Sequence, residues 1–350
     1  MATAAISIAQ PMDTPPAQAA ASAPAPTTRE LVGQRLIVAM KGTRPTPALL
    51  GRIRRGEIGG IILFGFNITS QTQLRALTTE LQSAARAAGR PPLLISTDQE
   101  GGRVRRLPWA GPAESATELG RSSAARIRSQ ALLAGRSLRA AGVTVDLAPV
   151  ADVPGPGSFM AADDRTFGAS GALVGRAAPA FVQGLADARV AAAAKHFPGI
   201  GRATRNTDSS LVEIGASRGA LETGLAPFRA AIGAGVPIVM ISNASYPELD
   251  SKPAPWSPRI QSLLRNELGF EGVTITDALD GAAATRRRSL QSVAVLSAQA
   301  GVDILLLTGS EASSAAAYER LVAAASEGRV PAAALRRSYD RILALKRTYG

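Results

Sequence analysis

The chain has 350 residues, 46% of them hydrophobic, enough to bury one large core, and it has no cysteine, which excludes a disulfide framework, a thiolate metal site and a cysteine nucleophile together. Lys and Arg number 39 against 27 Asp and Glu, a net charge of +12. The arginines are spread through every predicted helix, and the one tight run, Arg286-Arg287-Arg288, has no aromatics between its members for base stacking. The balance therefore argues against a nucleic-acid partner and leaves an anionic glycan compatible.

In chain order, residues 1–28 read as a flexible tail rich in Ala and Pro, without the basic start and continuous apolar stretch of an intact signal peptide. Such a tail suits the stretch ahead of the folded domain in an exported protein, and a cytosolic protein with a ragged terminus would look the same; export or the cell envelope is slightly favoured over the cytoplasm. No stretch approaches the ~20 apolar residues of a membrane span. From residue 29 to 350, short apolar runs alternate with longer stretches of helical period, which is the pattern of parallel βα units. The strand candidates are Leu36 to Met40, Gly60 to Phe64, Leu93 to Thr97, Val143 to Leu147, Val190 to His196, Val236 to Ile241, Val273 to Thr276 and Val302 to Leu307. Thr69 or Ser70 caps the predicted helix Gln73 to Ala88, Ser122 precedes Ala124 to Ala140, and Glu311 to Ala325 precedes a Gly-Arg-Val-Pro turn. The last helix, Ala332 to Tyr349, carries Leu335, Ile342 and Leu345 at spacings suited to the barrel wall. Eight such units, with no internal repeat and no second composition regime, predict an α/β fold of the (β/α)8 TIM type, one domain and a monomer.

In such a barrel the working residues sit at the C-terminal ends of the strands. There the sequence concentrates polar groups: Asp98 to Arg103 after strand three, Asp152 and Asp164-Arg165 after strand four, Lys195-His196 at the end of strand five, Asn243 after strand six and Asp277 after strand seven. Taken one at a time, each has a plain structural reading. An aspartate after a strand readily caps the next helix or satisfies a turn, and a lone histidine in an apolar strand is commonly a hydrogen-bonded core residue.

Four segments together change that balance. Gly59-Gly60-Ile61-Ile62-Leu63-Phe64, Asp98-Gln99-Glu100-Gly101-Gly102-Arg103-Val104, Lys195-His196-Phe197-Pro198-Gly199 and Gly272-Val273-Thr274-Ile275-Thr276-Asp277 resemble, in order and spacing over residues 30 to 347, the signatures of glycoside hydrolase family 3. The single-domain length and the Lys-His-Phe-Pro-Gly segment resemble its β-N-acetylhexosaminidase branch. The resemblance implies a retaining glycosidase acting on an N-acetylglucosamine-containing glycan such as a muropeptide. It assigns Asp277 as nucleophile and Asp98, Arg165, Lys195 and His196 as sugar-binding residues. Arg103 is counted with that set, and it and Asp152 are expected to support the sugar-contacting residues from behind.

The chain departs from the pattern where proton transfer is expected. The branch normally carries Asp-Ser-His in the loop after strand five, with the histidine as acid/base, and here the residues are Asp208-Ser209-Ser210. A serine hydroxyl is far too weak an acid to protonate a leaving alkoxide. Ile200 and Asn243 stand where histidines are usual, and Gly281 where a methionine is. Two readings follow: a hydrolase whose proton comes from Asp208 or Glu213, or a catalytically impaired sugar-binding protein that keeps the hexosamine pocket. No metal is implied by one histidine and no cysteine, and no nucleotide cofactor by glycines 101 and 102, which lack the helix context of a phosphate-binding loop.

Overall fold

The computed structural model describes residues 1–3 and 25–350, so most of the expected tail at 1–28 lies outside the described residues. The folded chain opens with a short helix, Thr28–Gly33, started by a reciprocal cap between Thr27 and Glu30. Eight parallel strands follow: β1 (Leu36–Ala39), β2 (Gly60–Ile62), β3 (Leu94–Thr97), β4 (Val145–Asp146), β5 (Ala191–Phe197), β6 (Ile238–Ile241), β7 (Val273–Thr276) and β8 (Leu305–Leu307). They pair in sequence order, with β8 beside β1. The ring is closed between β7 and β8, where Ile304 N donates to Thr274 O at 2.8 Å and Thr276 N to Ile304 O at 3.0 Å. The eight expected strands and the single (β/α)8 barrel are therefore present, with most strand ends trimmed, β7 as expected and β5 running on to Phe197.

A helical segment follows each strand on the outside. The helix Gln71–Ala87 is capped by Ser70, whose hydroxyl accepts from Gln73 N, and Ala124–Ala140 is capped by Ser123 rather than Ser122. Their apolar stripes meet the outward faces of the strands in one large core. The inward faces form a second, separate core: Ile37, Ile62, Leu94, Val145, Ala191, Ile238, Val273 and Ile304, one from or beside each strand, pack with a second layer that includes Leu147, Met240 and Leu306. The last helix, Ala332–Tyr349, sends only Leu335 to the outer core. Ile342 and Leu345 join the inner one, so this helix plugs the N-terminal end of the barrel instead of lying along its wall. Lys346 fastens it there, donating to Gln34 Oε1 at 2.6 Å and Gly59 O at 2.8 Å. Among the described residues, no helix is long and apolar enough to cross a membrane.

Candidate active site

With one end plugged, the other end is left for chemistry, and the period of two along each strand leads into it. Inward positions continue as Ile62 to Phe64, Leu94 to Asp98, Ala193 to Lys195, Ile275 to Asp277 and Leu306 to Thr308, and these last residues line a cavity of about 450 Å3 at the C-terminal mouth. On β5 the register shifts between Ala194 and Phe197, so Lys195 and His196 both reach the cavity, which successive residues of a regular strand would not.

One wall is a closed charge network. Lys195, 2% exposed, donates from Nζ to Asp98 Oδ1 at 2.7 Å and stands 2.7 Å from Glu100 Oε1. Arg165 grips Glu100 with both prongs, at 2.8 and 2.7 Å. Burial alone would raise the Glu100 carboxyl, but the charges of Lys195 and Arg165 outweigh it and hold the group far below the usual carboxylate range. Burial alone would lower Lys195 and Arg165; the facing carboxylates reverse this and raise both. The cationic donors are thus fixed in charge and position before any ligand arrives. Glu100, which sequence reasoning left without a role, is the centre of the network; its buried position between two cations is the signal that was missed.

His196 is oriented from behind. Its Nδ1 lies 2.8 Å from Asp152 Oδ2, and Asp152, fully buried, also accepts from Ile200 N at 2.7 Å. This bond directs the other ring nitrogen toward the cavity.

After β3 the chain forms a small antiparallel hairpin, Gln99–Gly101 against Val104–Arg105. Gly101 and Gly102 have φ of +105° and +54°, and a Cβ on Gly101 would come within 2.4 Å of Glu114 O, so the tight turn needs glycine. Arg103 stands at the tip. Its side chain is 73% exposed, 3.8 Å from Asp163 and outside the cavity lining, contrary to its expected place among the sugar-binding residues. A hairpin tip points to solvent; the returning strand brings Arg106 to the cavity instead, with its Nε buried and unpaired among the described residues.

The opposite wall carries the acids. Asp277 is held by backbone bonds, N to Ile241 O at 2.8 Å and Oδ1 from Ala278 N at 2.8 Å, while Asn243 donates to Ala278 O at 2.7 Å. It caps no helix, since the following turn of helix, Ala282–Thr285, begins at Gly281. Asp208 and Glu213 are both exposed to solvent, but Asp208 lines the cavity with Asn206 and Thr207, whereas Glu213 lies outside it, and Ser210 is not among the lining residues. Burial, and then the charge of Asp277, push the Asp208 carboxyl above its usual range. The Asp208 loop is clipped to the Asp277 loop by Ala282 N to Asp208 O at 2.9 Å and Ala283 N to Thr207 O at 3.1 Å. Gly281 makes that contact possible. A Cβ there would lie 3.2 Å from Ala278 O and 3.3 Å from Asp208 Cα, so a side chain at 281 would press on the acid loop. Asp280 also lines this wall, accepting from Thr308 N at 2.6 Å and Gly309 N at 3.0 Å. Nothing in the sequence distinguished it from a helix-start aspartate.

Known proteins share this architecture. The profile of the glycosyl hydrolase family 3 N-terminal domain matches residues 27–345. A protein of Arthroderma benhamiae described as an uncharacterized secreted glycosyl hydrolase is 36% identical over 328 residues, covering 90% of this chain and 92% of that one. The β-hexosaminidase LpqI of Mycobacterium tuberculosis is 34% identical over 329 residues, covering 91% and 82%. Among solved structures, a family 3 β-N-acetylglucosaminidase from Paenibacillus superposes with a TM-score of 0.88 at 34% identity over 93% of this chain, which spans 63% of that longer protein. A β-N-acetylhexosaminidase from Beutenbergia cavernae superposes with a TM-score of 0.86 at 31% identity, covering 92% and 99%.

Proposed function

The chain belongs to glycosyl hydrolase family 3, and from that premise we propose that it hydrolyses terminal β-N-acetylglucosaminides with retention, Asp277 acting as nucleophile and Asp208 as proton donor. The observation that carries this reading is the company the two carboxyls keep. Both line one cavity with Asp98, Arg106, Arg165, Lys195 and His196, and Asp208 is the one that burial and a neighbouring negative charge push toward its protonated form.

In this mechanism Asp98, Lys195, Arg165 and His196 hold the hydroxyls and amide of the terminal sugar. The Asp277 carboxylate attacks C1, the bond from C1 to the leaving oxygen breaks, and the Asp208 proton passes to that oxygen. A water then gives a proton to Asp208 as its oxygen displaces Asp277 from C1. The substrate class is a glycan ending in N-acetylglucosamine, such as a peptidoglycan fragment, supported by relatives named β-hexosaminidase. Export is supported by a relative described as secreted.

The test compares an N-acetylglucosaminide carrying an activated aryl leaving group with one carrying an alkyl group. The protein turns over both. Asp277→Asn loses on the order of 10⁴-fold or more on each. Asp208→Asn loses ~10²–10⁴-fold on the alkyl substrate and little on the aryl one. Because the donor works protonated, kcat/KM of the unsubstituted protein falls as pH rises through the elevated Asp208 pKa, and Asp208→Asn lacks that limb. Binding of N-acetylglucosamine with no turnover of even the aryl substrate would make the chain a sugar-binding protein instead.

A further inference from the structure

The cavity does not end at its polar walls. Phe64, which closes the top of the inner core, lines it, and the ring of Phe66 stacks on Phe64 with centroids 5.5 Å apart and planes 21° from parallel. Phe66 is 63% exposed, and no other aromatic side chain among the described residues is as open to solvent. An exposed phenylalanine on a loose loop would mean little. This one is held rigidly. The turn Gly65–Asn67 is pinned by Asn67, itself 0% exposed, which accepts from Phe64 N at 2.9 Å and donates to Met40 O at 3.1 Å and Gly42 O at 2.6 Å. A buried amide with three bonds is thus used to present an apolar ring outside the barrel, continuous with the wall of the cavity.

We propose that Phe66, backed by Phe64, is the platform for the second sugar ring, the one that leaves on cleavage. This deepens the hydrolase reading above and rests on it. A pyranose presents a face of C–H groups that suits an aromatic ring, and a platform already fixed loses little freedom on binding. A contact made equally in the ground and transition states appears in KM and leaves kcat alone.

The test uses two substrates that share the first sugar, N,N'-diacetylchitobiose and N-acetyl-β-glucosaminyl fluoride, since fluoride offers no ring to stack. Phe66→Ala raises KM for the disaccharide roughly tenfold at unchanged kcat and moves the fluoride less than about twofold; Phe66→Trp restores the disaccharide value. Equal effects on both substrates, or none on the disaccharide, would overturn the platform. Equilibrium binding in an Asp277→Asn background separates the two readings. There, Phe66→Ala weakens the disaccharide and not N-acetylglucosamine if the platform exists, whatever the outcome for turnover. Failure of the unsubstituted protein to cleave the fluoride, with the sugar still bound, counts against the hydrolase reading alone.

Discussion

Residue 281 shows how one missing side chain leaves room for a distant acid. Glycine here is unrelated to positive φ, because the backbone is ordinary extended chain at φ −63°. Its value lies in the 3.3 Å between the position a Cβ would take and Asp208 Cα. Gly281→Met therefore presses on the Asp208 loop, which must give by a few tenths of an ångström. With the donor displaced, hydrolysis of the alkyl N-acetylglucosaminide falls, while the activated aryl substrate, which needs little protonation, is far less affected. Parallel kcat/KM measurements on the two substrates check this. An equal loss on both would show that Gly281 serves Asp277 and not Asp208. Sequence reading grouped the departures at 208–210 and at 281 around one pocket without their contact, which joins residues far apart in the chain and is carried by no local pattern.

The elements differ in how much of their role was legible. The strands were, because each buried face repeats every two residues and the chemistry-bearing residues Asp98, Lys195 and Asp277 continue that repeat. The hairpin after β3 was not: reading outward along the motif favoured Arg103, but the fold-back at Gly101-Gly102 carries Arg106 to the cavity. The last helix was read correctly as amphipathic and placed on the wrong surface, since a helical stripe fits a barrel wall and a barrel end equally well. Its plugging role makes a prediction. Ile342, fully buried in the inner core, has no open space to relax into, so Ile342→Ala costs ~2–5 kcal/mol of stability in denaturant unfolding. KM and kcat of the protein that remains folded are unchanged, because the substitution lies at the end opposite the cavity. A marked change in KM would show that the plug controls the mouth.

On the scale of the whole molecule, two buried lysines at opposite ends of the barrel are treated in opposite ways. At the mouth, Lys195 is surrounded by carboxylates and raised. At the plugged end, Lys346 is 3% exposed, meets an amide oxygen and a backbone carbonyl, and makes no ion pair among the described residues; burial lowers it to about 7. In the unfolded chain the same group keeps its proton to about 10.4. Between those two values the unfolded state binds more protons, so this lysine makes stability rise with pH across the window, by at most about 1.4 kcal/mol per unit, and below pH 7 its penalty is complete. Urea unfolding of the protein and of Lys346→Met at pH 6, 7, 8 and 9 should give a stability difference that is flat up to 7 and then moves in favour of the lysine. A difference independent of pH would mean that the lysine stays charged, stabilised by water at the barrel end.

What the amino-acid sequence determined by itself is what short-range periodicity can encode: eight βα units, the inward face of each strand, and the motif residues waiting at the strand ends. Only the tertiary structure put Arg106 and not Arg103 in the cavity lining, placed Asp208 in the cavity and Glu213 outside it, set Gly281 against the acid loop, and turned the last helix into a plug. Those outcomes depend on loop paths, and a loop path is fixed by contacts with elements tens of residues away, where neither period nor propensity reaches.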